Sequence, residues 1–391
     1  MRTVHRILSI FAALLMLYLG GTGTLIQLED LRALLTHAPE HDPVIQSIDE
    51  GRYGNGDFPA ISQHDLTAAA LPAATDFGAA FEAVLAAMHA GTAQATPPNF
   101  VEVRMLEGRL AGQVKHGKQV RAYDVASGAA MATTPQGWIP MPDSLRQSTK
   151  ELHRFWSRRD VPGVYFELAS GIVLWVLLIS GYTMYYKLWK ARAQMGRTQA
   201  FWMGGERWRA LHRVVALAAS VFLLAVAFSG TFLGFESTYH TFVKMDFNHD
   251  PTTPMSDQQV RSMAAVTLRE FRAAEPETPI KVLRVRIYGG MKQGLIVTGG
   301  ASTRQLVYDT ETGQPATLAE PGYPVSGFPF GTQMHEDIKH FHSGDLFGLP
   351  ARFMNLLAGL ALIFLSGSGV AMYVQLWRRR AQNGKRAWFW K

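Results

Sequence analysis

Cysteine is absent from the 391 residues. That excludes disulfides, thiolate metal sites, iron–sulfur clusters, thiol nucleophiles and haem attached covalently through C-x-x-C-H. Any redox chemistry must use a noncovalent cofactor, with the 13 histidines and the carboxylates as candidate ligands. No succession of strand, G-x-G-x-x-G and helix occurs, so the chain carries no nicotinamide or flavin domain of the Rossmann type. Charge is scarce, at 18% of residues, and it is clustered.

What the sequence has in abundance is long apolar runs. They cover Ile7 to Leu28, Tyr165 to Tyr186, Val214 to Phe235 and Arg352 to Val374. Each makes a helix of about 33 Å, enough to cross a hydrocarbon layer of roughly 30 Å. The first run follows a charged start, as a signal peptide would. It is longer than a signal-peptide core and no A-x-A step precedes Glu29-Asp30, so it reads as an uncleaved anchor.

Lysine and arginine gather in three segments: Arg2 and Arg6; the connection from Lys187 to Arg213; and the tail from Arg378 to Lys391. By the positive-inside rule these three are cytoplasmic, and the two long connections lie outside. The segments carry +14 of charge and the remainder must total −7 to reach the net +7. The basic balance therefore reports topology, with no nucleic-acid partner.

The chain also repeats itself. An offset of 207 lays Leu211-His212-Arg213 on Val4-His5-Arg6, Gly230-Thr231 on Gly23-Thr24 and Glu236 on Glu29. An offset of 188 lays Pro350 on Pro162, Gly359 on Gly171, Ser368-Gly369 on Ser180-Gly181, Met372-Tyr373 on Met184-Tyr185 and Leu376-Trp377 on Leu188-Trp189. Both copies start on the same side, which makes them a parallel tandem repeat of helix, lobe and helix.

The lobes repeat as well. Tyr123-Asp124-Val-Ala-Ser-Gly128 resembles Tyr308-Asp309-Thr-Glu-Thr-Gly313, and each reads as a hairpin turn after β-like runs. The runs are Phe100 to Leu106 and Gln119 to Val125 in the first lobe, and Ile280 to Ile287, Leu295 to Thr298 and Gln305 to Tyr308 in the second. Amphipathic helices precede them, Asp76 to His89 and Asp257 to Ala274, the latter capped by Ser256. Thr36 to Pro72 reads as irregular loop.

The expected fold is a membrane all-α four-helix bundle with two α+β lobes. Its parts are helix 1 (1–30), a first lobe (31–150), a histidine segment with helix 2 (151–190), a cytoplasmic loop (191–210), helix 3 (211–236), a second lobe (237–334), a histidine segment with helix 4 (335–377) and a tail (378–391).

His5 and His212 occupy matching positions, each followed by arginine. Two repeat-related imidazoles at one depth in a bundle supply both axial ligands of a haem iron, and Arg6 and Arg213 would meet its propionates. On the outer side His153 and His342 form a second candidate pair, with His335 and His340 as alternatives to His342. Interfacial anchoring competes as an explanation of the inner pair, and ordinary solvation in a polar loop competes for the outer cluster. The spacing of His335, His340 and His342 is not a usual zinc pattern. Glycine and serine inside the helices, in Gly20-Gly21-Thr22-Gly23 and Ser366-Gly367-Ser368-Gly369, read as close helix packing or room for a flat macrocycle.

These features together resemble the PepSY-associated transmembrane family, whose members include inner-membrane ferric-siderophore reductases of the ferrioxamine-reductase type. The residues carrying the resemblance are His5-Arg6, His212-Arg213, His153-Arg154, the stretch from Phe341 to Pro350, the repeated Ser-Gly and Leu-Trp steps, and the two Tyr-Asp hairpins, which look like PepSY turns. The resemblance implies periplasmic PepSY-like lobes, two b-type haems linking the faces of a bacterial inner membrane, and periplasmic reduction of a ferric siderophore. Trp138, Trp156, Tyr323, Phe328 and Phe330 would offer a docking surface. The electron donor would be external, a soluble reductase or membrane quinol. The rival expectation is a cofactor-free, membrane-anchored PepSY module that regulates a periplasmic peptidase or other partner.

Overall fold

The structure, a computed structural model, describes all residues except 1, 41, 49–64, 66, 91–95, 118, 133–143, 156–162, 244–251, 318–328 and 389–391. Four of the described helices are long and apolar enough to cross a membrane, spanning Thr3–Leu35, Gly163–Ala193, Ser220–Val243 and Asp345–Gln382. They lie within or coincide with helices α1 (Arg2–Leu35), α5 (Gly163–Ala193) and α7 (Ser220–Val243), while the fourth runs from a short 3-10 turn into α10 (Gly348–Gln382). Helical pairing satisfies every backbone group within the segment, which is why an apolar run of this length folds as helix in lipid. Phe11, Leu14 and Val221 project outward and exposed, as lipid-facing side chains do.

α1 packs against α10 and α5, and α7 packs against the same two helices, so the four close into a ring. Met16, Leu174, Leu223 and Leu362 fill its core. Glycine sets how closely the helices approach. A Cβ at Gly359 would meet Thr24 Oγ1 at 2.5 Å, and one at the repeat-related Gly171 would meet Thr231 Oγ1 at 2.4 Å. The third apolar run, expected to be continuous from Val214, is divided between α6 (Arg207–Ala218) and α7. At the break the Ser220 hydroxyl donates to the Leu217 carbonyl, a local bond that competes with the helical ladder.

Between α1 and α5 lie α2 (Pro43–Ile48), α3 (Phe77–Ala90), β1 (Phe100–Leu106), β2 (Arg109–His116), β3 (Gln119–Asp124), β4 (Ala130–Met131) and α4 (Leu145–His153). The α2 turn falls inside the stretch read as irregular loop; there Asp42 accepts from the Val44 amide and starts the helix. Between α7 and α10 lie β5 (Thr252–Thr253), α8 (Asp257–Ala274), β6 (Ile280–Tyr288), β7 (Met291–Thr298), β8 (Gln305–Asp309) and α9 (Thr332–Ser343). The expected capping box on α8 is present, with Ser256 and Gln259 bonding reciprocally.

The two strand sets, expected as separate lobes, form one antiparallel sheet in the order β4-β3-β2-β1-β6-β7-β8, with β5 also on β6. β1 and β6 meet in register, Val103 opposite Leu283, so each set covers the open edge of the other. α3 and α8 lie side by side on one face, over a core that includes Phe81, Val84, Val103, Met263, Phe271 and Val285. A glycine under each helix permits the contact: an added Cβ would sit 1.9 Å from Val84 at Gly112 and 1.6 Å from Thr267 at Gly294. The Tyr-Asp hairpins close as expected. Gly128 and Gly313 turn at φ 69° and 77°, and their amides donate to the Asp124 and Asp309 carbonyls.

Candidate functional site

Partly buried histidines mark both ends of the bundle. At the end carrying the sheet, α4 brings His153 against α1 and α9 brings His342 against α7. His153 Nδ1 lies 2.8 Å from Thr22 Oγ1, and His342 Nδ1 lies 2.8 Å from Ser229 Oγ. At the other end His5 Nδ1 is 2.7 Å from Ser180 Oγ, and His212 Nδ1 is 2.7 Å from Ser368 Oγ. The hydroxyl partners are repeat-related: Ser180 with Ser368 at an offset of 188, and Thr22 with Ser229 at 207.

These hydroxyls also have a second partner, a carbonyl of their own helix. Thr22 donates to the Tyr18 carbonyl, Ser229 to Ala225, Ser180 to Val176 and Ser368 to Leu365. A hydroxyl that gives its one proton to that carbonyl accepts from Nδ1–H of its histidine. The proton then sits on Nδ1 and the lone pair on Nε2, the state in which imidazole binds a metal. Glycines lie against three of the rings: an added Cβ would be in ordinary contact with His153 Cε1 at Gly23 (3.4 Å) and His5 Cε1 at Gly181 (3.5 Å), and tight against His342 Cε1 at Gly230 (3.3 Å).

The His153 and His342 rings approach with centroids 6.4 Å apart and planes tilted by 42°. Two imidazoles on one metal, each nitrogen at about 2 Å, place their ring centres about 6.3 Å apart. The observed separation is compatible with both rings holding a single ion. Burial drives the His153 pKa down to about 3, assisted by the charges of His342 and Arg154, and burial takes His342 down to about 4. Both rings are neutral and ready to ligate. His212 lies within electrostatic reach of His5.

The remaining sequence candidates have other engagements. The expected polar loop around residues 335–342 is helix α9, whose His342 forms a ring pair with His153. His340 Nδ1 lies 3.1 Å from Asp345, within a buried ion network in which Arg352 joins Asp345 to Asp30 and Arg146 also binds Asp30. His335 Nδ1 lies 2.8 Å from Glu236. The Arg213 guanidinium donates to the Gly204 carbonyl at 2.6 Å and stacks 4.5 Å over Trp202, whose ring also lies 4.4 Å from Arg192. Arg6 lies within electrostatic reach of Tyr373. Of the aromatic docking candidates Phe330 is exposed beside α7, whereas Trp138, Trp156, Tyr323 and Phe328 lie outside the described residues, as do Pro162 and Trp390.

A family model of the PepSY-associated TM region matches residues 2–376. The chain belongs to the PepSY-associated TM family. The match runs from the first bundle helix to the fourth and takes in all four histidine–hydroxyl rungs. No curated protein matches the sequence.

Sequence reasoning named the four histidines and missed their hydroxyl partners. The signal was there in the duplicated Ser-Gly steps at 180–181 and 368–369, of which the second reads as close helix packing or room for a flat macrocycle.

Proposed function

We propose that this protein is a b-type haem oxidoreductase of the bacterial inner membrane that passes electrons to a ferric siderophore in the periplasm, releasing iron for uptake. The bundle is a parallel two-fold repeat, its sheet is periplasmic and its termini are cytoplasmic, in keeping with the arginine and lysine distribution. The observation that carries the reading is the 6.4 Å separation of the His153 and His342 rings, each with Nδ1 held by a hydroxyl.

His153 and His342 would hold one haem iron, and His5 and His212 a second, nearer the cytoplasm. When bound, haem supplies one-electron redox chemistry. The protein does the rest: the hydroxyls hold each imidazole in the ligating tautomer, and the glycines beside the rings leave room for a flat macrocycle. An iron held by two histidines would have no open position, which would suit electron transfer and disfavour oxygen binding. A potential negative at the cytoplasmic side assists outward electron movement by about 2.3 kcal/mol per 100 mV for a full crossing. The donor is external, a soluble reductase on the basic face or membrane quinol.

Absorption spectroscopy of the purified protein tests the proposal. A Soret band and a dithionite-induced α-band are expected, with reoxidation on adding a ferric siderophore. A colourless protein would instead favour a cofactor-free PepSY module that binds a periplasmic partner. Haem that stays reduced in the presence of the chelate would rule out that acceptor.

A further inference from the structure

Seven residues before each sheet-end histidine the two repeats diverge. Arg146 precedes His153 by seven and meets Asp30 of α1; His335 precedes His342 by seven and meets Glu236 of α7. The first rung is closed, because Arg352 also reaches the Asp30 carboxylate, at 2.5 Å. The second is open. Glu236 is fully buried, His335 lies 2.8 Å from its Oε2, and its Oε1 has no hydrogen-bond partner among the described residues. A buried carboxylate oxygen left in this state costs free energy unless a donor reaches it.

The surroundings say what kind of donor. Glu236 lies seven residues before the end of α7, about 10 Å along the axis, so it sits at the margin of the apolar layer. Phe232 and Phe235 are its neighbours on the helix, and Phe330 packs on both with ring centroids at 5.2 and 6.1 Å. Phe235 and Phe330 are exposed on the surface where lipid would lie, and Tyr239 extends the row from Phe235 at 6.3 Å. A ligand suited to this place is lipid-soluble, presents a flat ring to aromatic side chains and brings a hydroxyl to a carboxylate.

We propose that Glu236, His335 and the Phe232–Phe235–Phe330 wall form a binding site for the headgroup of a membrane hydroquinone. The proposal rests on the electron-transfer reading above, to which it adds the donor. A hydroquinone hydroxyl donates to Glu236 Oε1, and its ring lies along the phenylalanines. Oxidation breaks two O–H bonds and yields the quinone, two protons and two electrons. The electrons leave singly for two equivalents of ferric iron. Glu236 accepts the protons in turn, and His335, whose side chain is 20% exposed where that of Glu236 is 0%, passes each to solvent. The site stands about 10 Å along α9 from His342.

The test is anaerobic binding of decylubiquinol to the full-length protein in nanodiscs, read by calorimetry, together with labelling by an azidoquinone and the haem spectrum of the same samples. Glu236→Gln is expected to weaken binding about tenfold or more, the loss of a hydrogen bond to a charged group. Phe330→Ala should weaken it as well, and the label should fall on peptides containing Phe232 or Phe330, with haem content unchanged in both variants. Wild-type affinity in both variants, or a label confined to other peptides, overturns the site. Haem bands without quinol binding reject the site and leave the electron-transfer reading standing; quinol binding without haem bands does the reverse.

Discussion

The sheet and the bundle each bury polar groups along the seam between repeats, and they treat them oppositely. At the β1–β6 seam Glu102 meets Arg284 at 2.5 Å and Arg104 meets Asp65 at 2.7 Å, all four side chains largely buried. Burial alone would lower the Arg284 pKa, and Glu102 and Asp65 more than offset this, holding it above the ordinary arginine range. At the bundle seam the His153 and His342 imidazoles lie with ring centroids 6.4 Å apart, each with Nδ1 beside a hydroxyl. A polar seam closed on itself holds parts together; one closed on a single side has an affinity to spend on a ligand.

The largest effect that would break this contrast is at the bundle. Replacing His153 or His342 by alanine should remove one of the two expected haems, read as half the haem per protein in a pyridine haemochromogen assay; unchanged content in both variants would mean the sheet-end pair is not a ligand pair. At the sheet seam, Glu102→Ala strands buried guanidinium groups and should cost about 3–5 kcal/mol, seen as a lower thermal midpoint with the haem spectrum intact before unfolding. Thr22→Val and Ser229→Ala take away the tautomer anchors while keeping the histidines, and haem affinity should fall about 10–100-fold, measured by transfer to apomyoglobin. Gly112→Ala and Gly294→Ala press a methyl into Val84 and Thr267, and each should cost about 1–3 kcal/mol on the same thermal scale. Ser256→Ala, which deletes the α8 capping box, should cost about 1 kcal/mol and leave the bundle untouched.

Elements whose signal is local were legible beforehand. Phe100 to Leu106 reads as a strand and is one, because apolar and β-branched residues recur along it. β2 escaped notice: Arg109–His116 contains Gly112 and polar residues, and its place is decided by Val84 pressing on that glycine and by pairing on both sides. The fusion of the two strand sets escaped for a similar reason, since edge pairing between segments some 180 residues apart leaves no local pattern. Among the histidines, the repeat singled out His5 and His212, whereas His335, His340 and His342 were separable only by which neighbour each one meets across α7 or the ion network.

The amino-acid sequence alone determined the four apolar spans, the duplication, the charge asymmetry and the exclusion of thiol chemistry, because each depends on composition or periodicity along the chain. Tertiary structure decided which histidines come together, which hydroxyl meets each Nδ1 and that Glu236 keeps an oxygen without a partner among the described residues. Those are properties of pairs brought together across more than a hundred residues, or of one group that packing leaves out, and no local spacing encodes them.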